Sequence, residues 1–387
     1  MRASRVRDLD LADQIDESQL AWLRHVMPIT EHICERVRER DHRGKRLACW
    51  THIRMNQIPM FLALAEAGAD VVLATCNVDS TDDAVAAYLA RHGTTVYAWS
   101  GMSRDDYDEH LRLVRAFDAD YLCDMGGELI LAYGDRLPPV VGALEATTSG
   151  LTNLRGHDLA FPVFDWNSIP LKDRLENRFH VGNELWPVFC EITWLSLYGK
   201  KVLVVGYGPV GKGIAERARA MGPIVKVADL DPVRLIEARH HGCEPVSLGE
   251  GLRACQIVVT ATGAEGVLRA PQLRRVQPGA VVCNAGHSNG EIDIDWLFGQ
   301  PHQAMKAHID RFDLGETHLY LLARGSLLNL AGSSGAAGAD LFDHYIAVMV
   351  AGISWMFDGG AQGAPPGVQR YPAVLEEEIA RLSLELK

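Results

Sequence analysis

Residues 201–213, KVLVVGYGPVGKG, form the most informative stretch of the chain. A run of β-favouring residues leads into a turn with glycine at 206, 208 and 211, and a helix-forming segment follows. This spacing lets the backbone turn tightly and approach a pyrophosphate, while the helix N-terminus supplies N–H donors. Asp229, at the end of the next β-favouring run, is placed to accept from a ribose hydroxyl. The segment predicts a nicotinamide dinucleotide site; a purely structural glycine turn is the alternative.

The rest of the chain alternates strand and helix patterns, which predicts parallel sheets with right-handed crossovers. The predicted strands are 46–50, 70–75, 95–99, 121–124, 202–205, 224–228, 257–260, 280–284 and 320–323. The predicted helices include 14–40, 58–67, 82–92, 104–117, 184–197, 340–357 and 374–386.

The predicted fold class is therefore α/β, with two doubly wound parallel-sheet domains. We expect a substrate or catalytic domain over 1–182 and a Rossmann NAD-binding domain over 183–338. The C-terminal helices of 339–387 are expected to return to the first domain.

Composition and charge exclude several classes of partner. A net charge of −12 disfavours nucleic acid and anionic membrane surfaces, since either needs a basic face. The N-terminus lacks the apolar core of a secretory signal, and no apolar run is long enough to span a bilayer. The eight cysteines contain no CxxC pair, which indicates reduced thiols, no metal site and a cytoplasmic protein.

The chain resembles the S-adenosylhomocysteine hydrolase (adenosylhomocysteinase) family over roughly residues 20–355. The glycine loop GYGPVGKG is more specific than a generic Rossmann turn. Further matching segments follow in the family's order: TCN at 75–77 with ST at 80–81, VYAW at 96–99, DP at 231–232, VTATG at 259–263, CNAGH at 283–287, EID at 291–293 and LNL at 328–330.

The resemblance implies that NAD is a tightly held catalyst that is regenerated in each turnover. It oxidises the 3′-carbon of a nucleoside, which makes the 4′-hydrogen acidic. A base removes that hydrogen, the 5′-substituent leaves, water adds and the hydride returns. Such chemistry needs a base near C3′ and C4′, a proton donor near C5′ and a site that excludes bulk water.

Four catalytic residues are carried over by the resemblance. Lys172 would act on the 3′-hydroxyl proton or as the 4′ base, and Glu176 keeps a carboxylate where the family has aspartate. His52 matches the histidine of the first strand–helix turn, and His287 matches one that passes protons near C5′. Taken singly, each would more often be an ordinary surface or core side chain.

The resemblance also implies contacts to cofactor and substrate. The cofactor set is Thr147, Thr148, Ser149, Asn177, Gly206, Gly208, Val210, Gly211, Asp229, Thr262 and Asn329. The substrate set is His52, Asn56, Asn77 and Asp124. Arg234 replaces an asparagine and could pair with a 2′-phosphate, but Asp229 would repel that phosphate, so NAD is expected.

Departures from the family cluster around the substrate. Met125 occupies the place of a catalytic aspartate, and Ala146 that of a glutamate that contacts the ribose. Arg54 and Asn56 replace a threonine and a glutamate that read the adenine edge, and Ala336 stands near the place of a second adenine-side histidine. The family's C-terminal extension, which reaches a neighbouring subunit's NAD, has no counterpart after Lys387.

Several functions remain open. The leading hypothesis is 3′-oxidation, 4′-proton abstraction and elimination at C5′ of an adenosine-type nucleoside, for example as a dehydratase that leaves an exocyclic enol ether. The alternatives are genuine S-adenosylhomocysteine hydrolysis, a non-catalytic NAD-binding regulator, and a 2-hydroxyacid dehydrogenase with net NADH release. A homo-oligomer, either dimer or tetramer, is expected.

Overall fold

The computed structural model of the protein describes residues 3–136, 140–286, 289–331 and 338–386. The chain divides into two compact units, which do not follow one another simply along the sequence. Unit 1 comprises Met1–Lys172 together with Gly338–Lys387, and unit 2 comprises Asp173–Ala337.

Unit 1 is built on an eight-stranded, all-parallel sheet in the order β1-β4-β3-β2-β5-β6-β7-β16. Its strands are β1 Arg5–Val6, β2 Arg46–Thr51, β3 Asp70–Thr75, β4 Thr95–Ala98, β5 Tyr121–Asp124, β6 Gly142–Glu145, β7 Pro162–Asp165 and β16 Gly367–Arg370. The chain runs outward from β2 to β4 and then restarts at β5, next to β2. That reversal creates a switch point between β2 and β5, where ligands of open α/β sheets bind.

Helices cover both faces of this sheet. They are α1 Glu17–Val26, α2 Pro28–Arg38, α3 Ile58–Glu66, α4 Asp83–Arg91, α5 Arg104–Arg115, α6 Glu128–Ala132, α7 Thr148–Asn153, α14 Ala339–Phe357 and α15 Ala373–Leu386. The single helix predicted over 14–40 is wrong in detail, because Pro28 cannot continue α1 and instead begins α2 at its first position.

Unit 2 also contains an eight-stranded sheet, in the order β10-β9-β8-β11-β12-β15-β14-β13. Its strands are β8 Lys201–Val205, β9 Ile224–Ala228, β10 Glu244–Pro245, β11 Ile257–Thr260, β12 Ala280–Asn284, β13 His302–Lys306, β14 Ile309–Asp313 and β15 His318–Leu322. The first six in spatial order are parallel, and β13 and β14 add an antiparallel hairpin. The parallel part has the strand order of a dinucleotide-binding domain, with its switch point between β8 and β11.

The helices of unit 2 begin with a π-helix, Leu171–His180, whose first two residues belong to unit 1. They continue as α8 Val181–Thr193, α9 Pro209–Ala220, α10 Pro232–His240, α11 Leu248–Ala254, α12 Ala270–Leu273 and α13 Ile294–Phe298. Helix α8 was predicted to extend to Leu197; it ends earlier, where Trp194 adopts a left-handed conformation (φ +59°). The predicted α/β fold class, with two parallel-rich sheets and a C-terminal helix that returns to the first unit, is confirmed.

Asp343 on α14 ties the returning helix to α2. The N–H groups of Ile29 and Thr30 donate to its carboxylate at 3.1 and 2.7 Å, where α2 has no side-chain cap of its own. The Thr30 hydroxyl also donates to the Asp343 carbonyl at 2.9 Å. All three residues are buried, so this contact replaces a local N-cap.

Replacement of Asp343 by alanine is expected to lower the free energy of unfolding by about 1–3 kcal/mol, because buried N–H groups at the start of α2 lose their acceptor. Urea denaturation measures the change, with Glu385→Ala at the exposed end of α15 as the control. An Asp343→Ala variant as stable as the Glu385→Ala control would contradict the stabilising role assigned to the hydrogen bonds between Asp343 and the start of α2.

Among the described residues, no helix is long and apolar enough to cross a membrane. The described part of the chain also holds no cluster of metal-ligating side chains.

Candidate active site

The candidate site in unit 1 lies at the carboxyl edge of its sheet, where parallel strands deliver their following residues together. His52 follows β2 directly, and Met125 follows β5, so the two stand on either side of the switch point. The other predicted residues of this unit lie nearby in the chain order of its strands: Asn56 in the short helical turn after β2, Asn77 after β3, Asp124 at the end of β5, Thr147, Thr148 and Ser149 after β6, and Lys172 in the helix after β7.

His52 is oriented by a hydrogen bond to a residue that the sequence did not single out as part of the site. Its Nδ1 lies 2.8 Å from Ser80 Oγ. Asn77 holds Ser80 in turn, because its Oδ1 accepts from the Ser80 N–H at 3.1 Å. The Ser80 hydroxyl also lies 3.2 Å from the Asn77 carbonyl, to which it can donate. With its proton there, Ser80 accepts from Nδ1–H and leaves Nε2 of a neutral His52 as the acceptor.

Asn77 was predicted to bind substrate. In the structure it is 6% exposed, and its Oδ1 caps the short turn at Val78–Ser80. This arrangement assigns its side-chain oxygen to support of Ser80 and His52.

Asn56, in the loop after β2, presents an unsatisfied acceptor. Its Oδ1 is buried and, among the described residues, receives no hydrogen bond. Because a buried polar atom without a partner is costly, this oxygen is suited to a donor on a bound ligand. Arg54, two residues earlier, is half-buried and supplies donors only.

Met125 is 2% exposed and is contacted by two hydroxyl groups. Thr51 Oγ1 donates to its Sδ at 3.0 Å, and the phenol of Tyr345 on α14 donates at 3.3 Å. A thioether is a weak acceptor that carries no proton at any accessible pH. The position therefore holds no acid or base of its own.

Lys172 lies against the same tyrosine. Its Nζ is 4.6 Å from the centre of the Tyr345 ring, within cation–π range. Trp166 also packs against this ring, with the ring centres 4.8 Å apart. Tyr345, which the sequence analysis missed, thus joins Lys172 to Met125 at the carboxyl edge.

Two fully buried carboxyl groups lie at the ends of neighbouring strands, Asp124 on β5 and Glu145 on β6. One oxygen of Asp124 accepts from the Ile130 N–H at 2.8 Å, and one oxygen of Glu145 accepts from the N–H and hydroxyl of Thr147, both at 2.7 Å. The second oxygen of each has no partner among the described residues. Asp124, predicted to bind substrate, thus has its carboxylate directed at the start of α6.

Burial and mutual repulsion change the acidity of this pair. Burial raises the pKa of Glu145 to about 7, and burial together with Glu145 raises the pKa of Asp124 well above its usual range. Because the folded state binds a proton that the unfolded state has lost, this contribution to stability is present below pH 4.5. It disappears as the pH rises through about 7.

Glu145→Gln is expected to flatten the dependence of the unfolding free energy on pH between 4.5 and about 7. The amide oxygen can keep the bonds to Thr147, while its NH₂ replaces an oxygen that has no partner. Urea midpoints across this range measure the slope, with Glu39→Gln on the surface as control. A variant that keeps the wild-type slope would contradict the assigned proton uptake.

The predicted cofactor-contacting hydroxyls at 147–149 have local partners. Thr147 is the N-cap of α7, since its hydroxyl accepts from the Gly150 N–H at 2.9 Å. Ser149 donates to Thr147 Oγ1 at 3.1 Å, and Thr148 Oγ1 accepts from Asn167 Nδ2 at 3.1 Å. These bonds fix the turn, and any cofactor contact would use the remaining hydrogen-bonding capacity.

In unit 2, the predicted glycine loop joins β8 to α9 at the switch point. Gly206 has φ +94°, and a Cβ there would lie 2.7 Å from the Ala261 carbonyl oxygen after β11. A Cβ at Gly211 would lie 1.9 Å from the Gly206 carbonyl oxygen. Helix α9 begins at Pro209 after the N-cap residue Gly208, which offers no side-chain cap, and Val210 packs against the hydrophobic core of the unit. The loop is thus shaped for a phosphate at the helix N-terminus.

Asp229 follows β9, with its side chain 7% exposed. Its oxygens accept from the N–H groups of Tyr207 and Asp231 at 2.6 and 2.8 Å. The carboxylate is therefore fixed beside the glycine loop with lone pairs remaining for a ribose hydroxyl. Arg234 Nη1 lies 3.7 Å from Asp229, close enough to offset part of its charge.

A second buried carboxylate shapes the loop after β11. Glu291 is fully buried and accepts from the Thr262 N–H, the Thr262 hydroxyl and the Gly263 N–H at 3.0, 2.8 and 2.6 Å. Burial raises its pKa despite these bonds. Thr262, predicted to contact the cofactor, is thus held by a residue that carried no predicted role in the site.

The remaining predicted residues of unit 2 lie in three places. Glu176 is buried and Asn177 half-buried in the π-helix, an element often found at functional sites. Asn329 is 9% exposed, and its Oδ1 is a buried acceptor with no donor among the residues described. His287 and Ala336 lie outside the described residues.

These features fit NAD. The loop at 206–211 would hold the pyrophosphate and Asp229 a ribose hydroxyl, and the unsatisfied Asn329 oxygen would accept from an amide N–H such as that of a carboxamide.

Comparisons with known proteins agree with this geometry. The family model for S-adenosyl-L-homocysteine hydrolase matches residues 3–154, and the model for the NAD binding domain of the same enzyme matches residues 188–335. The first match covers β1 to β6 and the second covers β8 to β15, and together they confirm the predicted family and the predicted NAD cofactor.

Full-length relatives point the same way. An adenosylhomocysteinase of Thermococcus kodakarensis is 32% identical over 98% of this chain and 92% of that protein. One of Archaeoglobus fulgidus is 33% identical over 95% of this chain and 93% of its own. An S-inosyl-L-homocysteine hydrolase of Methanothermobacter thermautotrophicus is 31% identical over 98% of this chain and 94% of that protein. The chain is therefore an NAD-binding enzyme of the S-adenosyl-L-homocysteine hydrolase family.

Proposed function

We propose that this protein eliminates the 5′-substituent of a purine nucleoside after transient oxidation at C3′, and releases the unsaturated product without adding water. The observation that carries the proposal is Met125. At the position of Met125 the family has an aspartate, which can serve as the base that activates water for addition across the C4′–C5′ double bond. A buried thioether contacted by Thr51 and Tyr345 cannot act as one.

In this proposal bound NAD would supply a hydride acceptor for the substrate alcohol and, after the elimination, the hydride that restores it. Lys172 is the proposed base that takes the C4′ proton, which the neighbouring ketone would make acidic. Its position over the Tyr345 ring fixes the direction of the amine. His52, whose Nδ1 lies 2.8 Å from Ser80 Oγ, would act on a substrate hydroxyl through Nε2.

The other predicted roles belong to the same proposal. Glu176 and His287 complete the catalytic set, and Asn177, Thr147, Thr148, Ser149, Val210 and Thr262 are proposed to contact NAD together with the glycine loop, Asp229 and Asn329. Asn56, through its unsatisfied Oδ1, would accept from a donor on the edge of the base. Adenine offers its amino group there, and a 6-oxopurine offers N1–H.

Hydrolysis of a homocysteine thioether is the second candidate, favoured by full-length relatives that are named as hydrolases of S-adenosyl- or S-inosyl-homocysteine. A thiolate leaves more readily than hydroxide, so it makes a smaller demand on an acid at C5′. The names of the two relatives differ in the nucleobase of the substrate, adenine or hypoxanthine. Asn56 Oδ1 could accept a hydrogen bond from either one.

Product analysis separates the candidates. The purified protein is incubated with adenosine, inosine, S-adenosylhomocysteine and S-inosylhomocysteine, and products are examined by NMR and a thiol assay. The proposal predicts an alkene signal from C4′ and C5′ of the product. It also predicts that either the adenosine or the inosine compounds are the preferred substrates. Free thiol together with an intact ribose would show hydrolysis instead, and conversion of no nucleoside that demonstrably binds would support a regulatory role.

A further inference from the structure

Tyr345 of unit 1 carries a hydroxyl group that the packing of its ring does not require. It lies on α14, a largely apolar helix, and is half-buried at the carboxyl edge of the sheet. Its hydroxyl is 3.3 Å from Met125 Sδ, and Nζ of Lys172 lies over its ring. A phenylalanine would fill the same volume, so the phenol oxygen calls for a reason of its own.

The hydroxyl is directed at a weak acceptor. A thioether sulfur binds an O–H less strongly than an oxygen does, so a substrate oxygen at this place would compete well for the proton. Thr51, which also donates to Met125, lies next to His52 at the end of β2. The Tyr345 hydroxyl therefore lies beside the switch point between β2 and β5, where the ligand of an open parallel sheet binds.

Lys172 adds a charge to this arrangement. After it takes a proton it is an ammonium 4.6 Å from the Tyr345 ring centre, and such a cation stabilises a phenolate. Lys172 and Tyr345 are thus coupled, because protonation of the Lys172 amine favours loss of the proton from the Tyr345 phenol.

We propose that Tyr345 is the general acid for the leaving group at C5′, an inference that rests on the proposed function. As the C5′–O bond breaks, the electron pair of the C4′ carbanion forms the C4′=C5′ bond. The departing oxygen takes the Tyr345 proton and leaves as water. The phenolate then recovers a proton from the Lys172 ammonium, so the proton removed from C4′ replaces the one that was donated.

Tyr345→Phe tests the assignment, because it keeps the ring on which Lys172 and Trp166 pack and removes only the hydroxyl. Loss of a general acid should slow elimination from a 5′-hydroxyl nucleoside by about 100-fold. Exchange of the C4′ hydrogen with deuterated water should stay close to that of the wild type, since it precedes departure of the leaving group. Elimination of a 5′-chloro nucleoside, which needs no acid, should also persist.

Tyr371→Phe is the matched control, because the Tyr371 hydroxyl donates to the Val348 carbonyl on the same helix at 2.8 Å. A folding defect in Tyr345→Phe would slow the hydroxyl and chloro substrates equally, and that result would overturn the inference. Wild-type elimination of the 5′-hydroxyl nucleoside by the variant would overturn it as well. A wild-type enzyme that does not exchange C4′–H would contradict the proposed function itself, and with it this inference.

Discussion

Lys172→Met is expected to slow exchange of the nucleoside C4′ hydrogen by about 10²–10⁴-fold, the usual contribution of a general base. Methionine keeps a flexible side chain of similar length against Tyr345, so nucleoside binding should weaken far less than exchange. Deuterium incorporation followed by NMR gives the rate, and titration calorimetry gives the affinity for the same nucleoside.

Lys45 provides a matched control for this substitution. It is also a lysine over a tyrosine ring of unit 1, with Nζ 5.8 Å from the Tyr121 ring centre, but it precedes β2 and so lies at the amino end of the sheet. Lys45→Met should exchange at the wild-type rate. Equal exchange by Lys172→Met and wild type would remove Lys172 from its proposed role.

Gly208→Ala is expected to raise the dissociation constant of NAD by about 10–100-fold, as a new methyl group that costs 1–3 kcal/mol would. The protein itself has room for the methyl, since the nearest heavy atom to a Cβ is Arg234 Nη1 at 3.9 Å. The space it would fill is that at the start of α9 where the pyrophosphate is expected. Gly211→Ala would be a poorer test, because its Cβ meets the loop's own backbone.

Calorimetric titration of NAD into protein stripped of nucleotide measures this effect without an activity assay. Gly249→Ala in α11 is the control, because a Cβ there makes only ordinary contacts with arginine side chains at 3.6 Å or more. Both variants should unfold at urea concentrations close to the wild type. NAD affinity unchanged by Gly208→Ala would mean that the pyrophosphate does not lie against this loop.

The sequence predicts the central strands of each sheet well for a physical reason. Strands such as Asp70–Thr75 and Ile257–Thr260 are buried on both faces, so they appear as continuous runs of apolar residues bounded by turn residues. Strands β6, Gly142–Glu145, and β7, Pro162–Asp165, were missed because they are short and begin with glycine and proline. The edge strand β16, Gly367–Arg370, is half exposed and has no apolar run.

The residues of the candidate site also divide into those that the sequence predicts and those that it does not. The glycine loop and Asp229 are local in sequence and could be predicted from their spacing. Ser80, Glu291 and Tyr345 could not, because each acts on a partner that only the fold brings near. Tyr345 in particular lies within an apolar helix pattern, where a tyrosine is expected to be part of the core.

The decisive measurement is hydrogen exchange at C4′. The NAD-loaded enzyme is incubated in deuterated water with each purine nucleoside that binds, and the recovered nucleoside is examined for deuterium. The account predicts deuterium at C4′, accompanied by a transient near-ultraviolet absorbance of reduced dinucleotide on the enzyme. Conversion of part of the nucleoside to product, with no deuterium at C4′ of the nucleoside that remains and without that absorbance, would contradict it.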